Sequence, residues 1–393
     1  MDYKPNKNNR LYFYDNTRGF ASIAGVFYHV GMIFSQPWAL NINPNNFLDS
    51  TQFFIEHINL ARIPLFLFVS GYFAMYSLQK NKEWLFFDRR MQRIFLPLLL
   101  GHIIIGSLQF IFLEHYNGAT DITFNDILSY INPLGSNFML SHFWFLYHLF
   151  VFSLVLVGIK NLPSQVKVRV KNLMDKIFTQ NFFVFIIIWS ASMYFFQVSA
   201  KHISNSMSLE NELFNLENMA LNAVTFFIGC MALMYRKFFE KKIITGQNKK
   251  IFISAAIYLI SMFLVFFEIP VLNWFFVQIE TVSLIVLILN IARRFFNYTN
   301  KVLIYISEAS YSFYILHHPI VIIVGIFYLT NKVTSGNLIF DYVAMSLVII
   351  FITYALYSLI VKHSKTGDFI ITGNTRVNWF TRIRLYFQNE SKK

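Results

Sequence analysis

Cysteine is almost absent from this chain. Cys230 is the only one in 393 residues, and it lies in an apolar run, which excludes an intramolecular disulfide and a cysteine-based metal site. Charge is scarce as well, because only 13% of the residues are Asp, Glu, Lys or Arg. A soluble globular domain carries about 25%. The composition therefore excludes an ordinary soluble domain.

Apolar residues fill the space that charge leaves. The chain is 56% hydrophobic and 19% aromatic, with 47 Phe, and many apolar runs reach the roughly 20 residues that a helix needs to cross a bilayer. A net charge of +13 would suggest nucleic acid as the partner of a soluble protein. Here it is spread over loops, so we expect a lipid bilayer and no nucleic acid as the partner. The first apolar run follows a polar start and lacks a small-residue cleavage site, so we expect a retained anchor.

Hydropathy predicts an all-α integral membrane protein, a bundle of about ten transmembrane helices. The predicted spans are 17–36, 58–79, 94–115, 143–160, 182–200, 219–236, 251–267, 270–291, 312–330 and 340–361. The seventh and eighth are separated only by Glu268-Ile269-Pro270. Proline suits a tight turn there, and one long broken segment is the alternative.

Positive charge predicts the orientation. Lysine and arginine are concentrated at the N-terminus, in every second loop and in the tail, while the intervening loops are neutral or acidic. By the positive-inside rule, both termini are expected in the cytoplasm. We accordingly divide the chain into a transmembrane domain, 1–365, and a basic cytoplasmic tail, 366–393.

Several polar residues fall at membrane depth. His29 lies deep in the first span, and the helical rise puts it roughly 17 Å from Arg18 at the mouth of that span. Such an imidazole has either a catalytic or ligand-binding role or a structural one, bonded to a neighbouring helix. Glu280 in the eighth span must be protonated, paired or facing water, so a structural pair with a histidine or arginine is again the alternative. The other polar residues at this depth are Arg62, His102, Gln109, His142, His148, Gln278, His317 and His318.

Two further patterns are ambiguous alone. Arg90 and Arg93 share a helix face near the cytoplasmic side, where guanidinium groups suit phosphate oxygens but also serve as plain topology signals. Ser310, Tyr314 and His317, with Tyr311, form a polar stripe that faces a cavity or another helix.

Five motifs in chain order resemble the membrane-bound acyltransferase-3 family. They are Asp15-x-x-Arg18-Gly19 followed by His29, Pro64-Leu65-Phe66-Leu67-Phe68-Val69-Ser70-Gly71-Tyr72-Phe73, Arg90-x-x-Arg93-Ile94-x-x-Pro97, His142-Phe143-Trp144-Phe145-Leu146 and Ser310-Tyr311-x-x-Tyr314-x-x-His317. The likeness covers residues 10 to 361 and is closest to the branch that succinylates periplasmic glucans. The second span departs from the common family pattern, since it opens Ala61-Arg62-Ile63-Pro64 without a glycine-rich, Asp-containing start.

This resemblance implies acyl transfer across a bacterial cytoplasmic (inner) membrane. The donor would be cytoplasmic acyl-CoA carrying succinyl or acetyl, and the acceptor would be a hydroxyl of an extracytoplasmic glycan such as periplasmic glucan. Arg18, Arg90 and Arg93 would bind the phosphates of the coenzyme. His29 would be the general base or a transient acyl carrier, with Glu280 orienting its ring. No metal is required.

The resemblance also suggests which residues meet the acceptor. These residues would line the acceptor site, and some would donate to the developing oxyanion: Trp144, His142, Tyr311, Tyr314 and His317.

Two other functions fit the same spans. A secondary transporter or exporter of an envelope glycan precursor would also place His and Glu inside a bundle of this size. A structural partner in an envelope-glycan assembly is the third hypothesis. Dependence on an acyl donor separates the enzyme from both, and the oligomeric state stays open.

Overall fold

The fold is a helical bundle. The computed structural model describes residues 11–35, 40, 49–133, 139–207, 215–267 and 272–374, and within these ranges every regular element is a helix and none is a strand. The principal helices are α1 (Tyr12–Ser35), α2 (Asp49–Lys80), α3 (Glu83–Tyr116), α4 (Phe124–Ile131), α5 (Trp144–Lys160), α6 (Ser164–Ile177), α7 (Phe182–Met207), α8 (Leu216–Met234), α9 (Asn248–Phe266), α10 (Asn273–Phe295), α11 (Lys301–Thr330), α12 (Leu338–Lys362) and α13 (Lys365–Thr372).

Nine of these helices are long and apolar enough to cross a membrane, counted over the described residues. They are α2, α3, α5 and α7 to α12. The protein is therefore a multi-pass membrane protein of the all-α class. The predicted first span is helical as α1 but is not among the nine. The seventh and eighth predicted spans are two separate helices, and the Glu268-Ile269-Pro270 connection itself lies outside the described residues.

Helix α1 contains too many polar residues to count as a span by hydropathy, and several of these residues have hydrogen-bond partners in the protein. Asn16 Nδ2 donates to the carbonyl oxygens of Phe296 at 2.6 Å and Tyr298 at 3.0 Å, and Arg18 Nη2 donates to Ser307 O at 3.0 Å. The helix packs against α2, α10, α11 and α12. A helix enclosed by other helices can carry polar residues that lipid would reject.

The outer helices have the opposite character. Phe252 on α9 is 72% exposed and Phe351 on α12 is 75% exposed, and large apolar side chains on α7 are exposed too. Apolar surface of this extent suits lipid rather than water. The bundle therefore presents apolar side chains outward and keeps its polar residues for the interior.

Two glycines allow α2 and α8 to cross with their backbones in contact. A Cβ on Gly71 would lie 1.9 Å from Phe226 O, and a Cβ on Gly229 would lie 2.0 Å from Phe68 O. Small residues at a crossing let transmembrane helices approach closely. The crossing fixes α2, which carries several residues of the site.

We expect Gly229→Ala to destabilise the bundle, because the added methyl group would meet backbone that cannot rotate away. Forced overpacking of this kind costs about 1–3 kcal/mol. Thermal unfolding of the detergent-solubilised protein measures the effect. Gly158→Ala is the matched control, since no atom lies within 4 Å of the Cβ position there. Equal melting temperatures for the two variants would contradict the crossing.

Candidate active site

Two cavities among the described residues bear on the site, and the larger of them reaches His29. It has a volume of about 1320 Å³, and its lining includes His29 on α1, Arg62 on α2, Gln109 on α3 and Trp144 on α5. It extends to the segment that follows α3, where Asn117 and Asp121 line it. His29 therefore faces a cavity within the protein and not the lipid.

Three further histidines surround His29. Its ring centroid lies 4.7 Å from that of His318 and 5.4 Å from that of His317, both on α11. The ring of His142, just before α5, is stacked 4.6 Å from that of His318. Four imidazoles from three distant parts of the sequence thus form one cluster, which we call the histidine cluster. Within the described ranges, no group of three His, Cys, Asp or Glu side chains is arranged to hold a metal ion.

Hydrogen bonds fix the tautomers of the histidines around His29. His317 Nδ1 lies 2.7 Å from Tyr314 O and must donate to it, since a carbonyl only accepts. By the same argument His142 Nε2 donates to Ile315 O at 3.2 Å. Gln109 accepts from Ser141 Oγ through its carbonyl oxygen and presents its amide nitrogen to His318 Nδ1 at 3.0 Å. These imidazoles each use one nitrogen for structure.

Arg62 contacts His29 directly. Its Nη1 lies 3.4 Å from His29 Nε2, and its guanidinium carbon lies 3.8 Å from the centroid of the Tyr28 ring. Arg62 is 9% exposed. Because guanidinium has donors only, the facing nitrogen of His29 accepts, which leaves the proton of the neutral ring on Nδ1.

Glu280 contacts a different histidine from the one expected. Its carboxylate lies 3.3 Å from Nε2 of His57 on α2, whereas the sequence suggested the ring of His29. His57 Nδ1 is 2.7 Å from Phe53 O, to which it must donate. His57 lies inside α2, immediately before the predicted span 58–79. The sequence could not predict the pair of Glu280 and His57, because hydropathy gives a residue's depth and not the direction in which its side chain faces.

The second cavity carries the three predicted phosphate-binding arginines. Its volume is about 610 Å³, and Arg18, Arg90 and Arg93 all line it. Arg90 is half-buried with its guanidinium 4.7 Å from the Phe86 ring, and it donates no hydrogen bond to any described residue. Its donors are therefore available to an anion.

The start of the predicted tail closes one side of this second cavity. Helix α13 packs on α3 and α12, and Asp368, Thr372 and Asn374 line the cavity. Arg93 Nη2 donates to Asn374 Oδ1 at 2.7 Å, and Asn374 Nδ2 donates to Asp368 at 2.6 Å. Residues 375–393 of the tail lie outside the described ranges.

The two cavities are separated by an aromatic wall. Phe145 and Tyr314 line both of them, with ring centroids 5.3 Å apart. The Tyr314 hydroxyl donates to the carbonyl oxygen of His142, which holds the ring in place. The expected passage from the arginines to His29 thus consists of two cavities that meet at these two side chains, which we call the aromatic wall.

The predicted acceptor residues divide between the two cavities. Trp144 and His142 line the larger one, and Tyr314 belongs to the wall. Tyr311 lines only the second cavity, where its hydroxyl donates to Arg93 O at 2.7 Å. His317 stands in the histidine cluster, close to His29.

Comparison with known proteins identifies the family. The family model described as "Acyltransferase domain", that of acyltransferase-3, matches residues 11–358. The chain belongs to the acyltransferase-3 family. Glucans biosynthesis protein C from Escherichia coli O139:H28 and from Shigella dysenteriae serotype 1 are both similar to it, each 26% identical over 349 residues. The matches cover 83% of this chain and 86% of each relative. No solved structure matches significantly.

Because it belongs to the acyltransferase-3 family, this protein is an acyltransferase.

Three residues to which the sequence motifs assign no role line the cavity of His29: Arg62, Gln109 and His318. Each was already visible as a polar residue at membrane depth. What the sequence lacked was the partner of each, because that depends on how the helices are rotated against one another.

We expect Glu280→Gln to retain nearly normal activity, since an amide can still donate to His57 Nε2. Glu280→Ala should be destabilised by about 1–3 kcal/mol, the cost of leaving a buried polar partner unsatisfied. Melting temperature and turnover number of both variants test this. A loss of turnover in Glu280→Gln as large as that from removing His29 would return Glu280 to a catalytic role.

Proposed function

We propose that this acyltransferase moves an acyl group from cytoplasmic acyl-CoA to a hydroxyl of an extracytoplasmic glycan. The protein would lie in the bacterial cytoplasmic membrane, with the second cavity open to the cytoplasm and the larger cavity open to the outside. The observation that carries the proposal is the meeting of two cavities at one aromatic wall, with Arg18, Arg90 and Arg93 in one and His29 in the other. The name of the relatives supports a glucan as the acceptor.

The donor would bind with its phosphates in the second cavity. Arg90 has open donors, and a guanidinium group can give two parallel hydrogen bonds to a phosphate. Arg18 adds charge, although its Nη2 also donates to Ser307 O. With the phosphates held there, the pantetheine arm would run to the wall of Phe145 and Tyr314 and present its thioester to His29. Succinyl and acetyl are the candidate acyl groups.

The acceptor would occupy the larger cavity. Aromatic side chains such as Tyr28, Tyr130 and Trp144 line it, as do the amides of Asn222 and Gln278. Flat apolar rings and groups that both donate and accept suit the alternating faces and hydroxyls of a sugar.

Carboxylates line the outer part of the same cavity, at Glu114, Asp121 and Asp126. The Thr123 hydroxyl and backbone N–H donate to Asp126, and these bonds hold the pKa of that carboxyl below its usual value. Asp126 is therefore ionised at neutral pH. This acidic outer part favours an uncharged glycan over an anionic one.

His29 would act as the general base. The acceptor oxygen attacks the thioester carbonyl carbon, a carbon–oxygen bond forms, and Nε2 of His29 takes the hydroxyl proton. The tetrahedral intermediate then reforms its carbonyl, the carbon–sulfur bond breaks, and the proton passes from His29 to the leaving thiolate. A positioned general base contributes about 100- to 10,000-fold.

We expect His29→Ala to abolish acyl transfer while the protein still inserts and folds. The assay uses purified protein in lipid nanodiscs with radiolabelled acetyl- or succinyl-CoA and a neutral glucan oligosaccharide. His202→Ala is the matched control, because that histidine is exposed at the end of α7. Normal transfer by His29→Ala would contradict the proposal. In sealed vesicles, glucan flux without any acyl donor is the result expected of a transporter.

We expect Arg90→Ala to raise the KM for acyl-CoA by about tenfold or more with a smaller change in turnover number, because phosphate binding is distant from the reacting carbonyl. Charge-assisted hydrogen bonds of this kind contribute about 1.5–3 kcal/mol. Arg89→Ala is the control, since the neighbouring side chain is exposed and does not line the cavity. Equal KM values for both variants would make Arg90 a topology signal only.

A further inference from the structure

Arg62 is a buried cation without an anion beside it. The side chain is 9% exposed at the level of His29, and no described carboxylate forms an ion pair with it. Its Nε is buried and has no hydrogen-bond partner among the described residues. Burying a charge without a partner is costly, so a cavity that keeps one is suited to a negative charge that arrives later.

Tyr28, His29 and Gly25 lie around the guanidinium of Arg62. Tyr28 covers one face of the guanidinium, and His29 Nε2 takes a hydrogen bond from Nη1. Gly25 faces the same region, where a Cβ would lie 3.5 Å from both Arg62 Nη1 and His317 Nε2. Since His317 Nδ1 is already a donor, Nε2 of the neutral ring carries a lone pair and can only accept. This nitrogen is buried and has no hydrogen-bond partner among the described residues. A Cβ at Gly25 would make only ordinary van der Waals contacts with these two nitrogens, so Arg62 Nη1 and His317 Nε2 border the same space beside Gly25.

We propose that Arg62 is a further catalytic residue, whose guanidinium donates to the oxyanion that forms on the thioester carbonyl. This inference rests on the proposed function. It follows from the 3.4 Å between Arg62 Nη1 and His29 Nε2. The base must contact the attacking hydroxyl, and the oxyanion forms on the carbon that this hydroxyl attacks. A donor adjacent to the base is therefore within reach of the oxyanion.

The same contact describes how the two residues change partners. Before substrates bind, Arg62 Nη1 donates a hydrogen bond to His29 Nε2, the nitrogen that must later accept the hydroxyl proton. When the thioester arrives, Nη1 turns to the carbonyl oxygen and Nε2 becomes free to accept the hydroxyl proton. As that proton moves to His29, the carbonyl π electrons move to oxygen, so the new negative charge lies between guanidinium and imidazolium. Such preorganised charge acts on the transition state rather than on the substrate.

An alternative anion is a free carboxylate at the far end of a dicarboxylic acyl group. That carboxylate is separated from the thioester carbonyl by the carbon chain, so a residue that binds it need not touch the base. The contact between Arg62 and His29 favours the oxyanion. The two interpretations differ in kinetics, because a ligand contact present before reaction changes KM and a transition-state contact changes kcat.

The test compares Arg62→Gln and Arg62→Lys with the wild-type enzyme, using acetyl-CoA and succinyl-CoA with the glucan oligosaccharide in nanodiscs. Removing one oxyanion donor costs about 100- to 1000-fold in kcat. We expect a loss of that size in Arg62→Gln with each donor that the wild type uses. The KM for the donor should change by no more than about threefold. Arg62→Lys should be intermediate, because it retains the charge and loses the planar pair of donors. The control on the same helix is Gln52→Ala, at an exposed position.

Melting temperature separates catalysis from structure. Replacing an unpaired buried charge by a neutral side chain should leave the melting temperature of Arg62→Gln equal to or above that of the wild type. A lowered melting temperature with a parallel loss of active protein would make Arg62 structural. A raised KM confined to succinyl-CoA would make it a carboxylate ligand, and an unchanged kcat would refute the proposal outright. A wild-type protein inactive with every donor would instead refute the proposed function.

Discussion

The structure depends on enclosing one polar helix. Helix α1 carries an asparagine and an arginine near its start and a histidine deeper in the predicted span. Lipid offers no hydrogen bonds to polar groups, so such residues need partners in protein. Asn16 reaches the backbone after α10, and Arg18 reaches the backbone of α11. Enclosure of α1 by α2, α10, α11 and α12 follows from this requirement, and it leaves the apolar faces of the peripheral helices to the lipid.

Two cavities meet inside the same bundle. The wall of Phe145 and Tyr314 lies between the two cavities and lines both of them. Under the proposed function, the donor occupies one cavity and the acceptor the other, so the reaction between them would take place at this wall. His29 and Arg62 line the larger cavity, of which the wall forms part. The proposed function therefore requires only the thioester, and not the whole coenzyme, to pass Tyr314.

The positions of most helices were predictable because hydropathy can be read along the sequence without knowing which helices are neighbours. Every predicted span is helical over nearly all of its described residues, including 17–35, although α1 fails the hydropathy test for a span. The exceptions are turn residues near span ends, at Tyr235, Phe267 and Leu272. The site was predictable in part. Motif order brought His29 and the arginines into one hypothesis, but the pairing of Glu280 with His57 and of Arg62 with His29 could not be read from it. Such pairs depend on helix rotation, which the neighbouring helices determine together.

The two arginines of the Arg90-x-x-Arg93 motif have different neighbours, although the motif gives no reason to distinguish them. Arg93 donates to the neutral amide of Asn374, and the nearby carboxylate of Asp368 is occupied by Asn374 and Thr372. No described carboxylate therefore forms an ion pair with either arginine. An amide can orient a guanidinium without cancelling its charge, whereas an ion pair would have to be broken before a phosphate could bind. The segment after the last span thus positions Arg93 and preserves the positive potential that the proposed anionic donor would need.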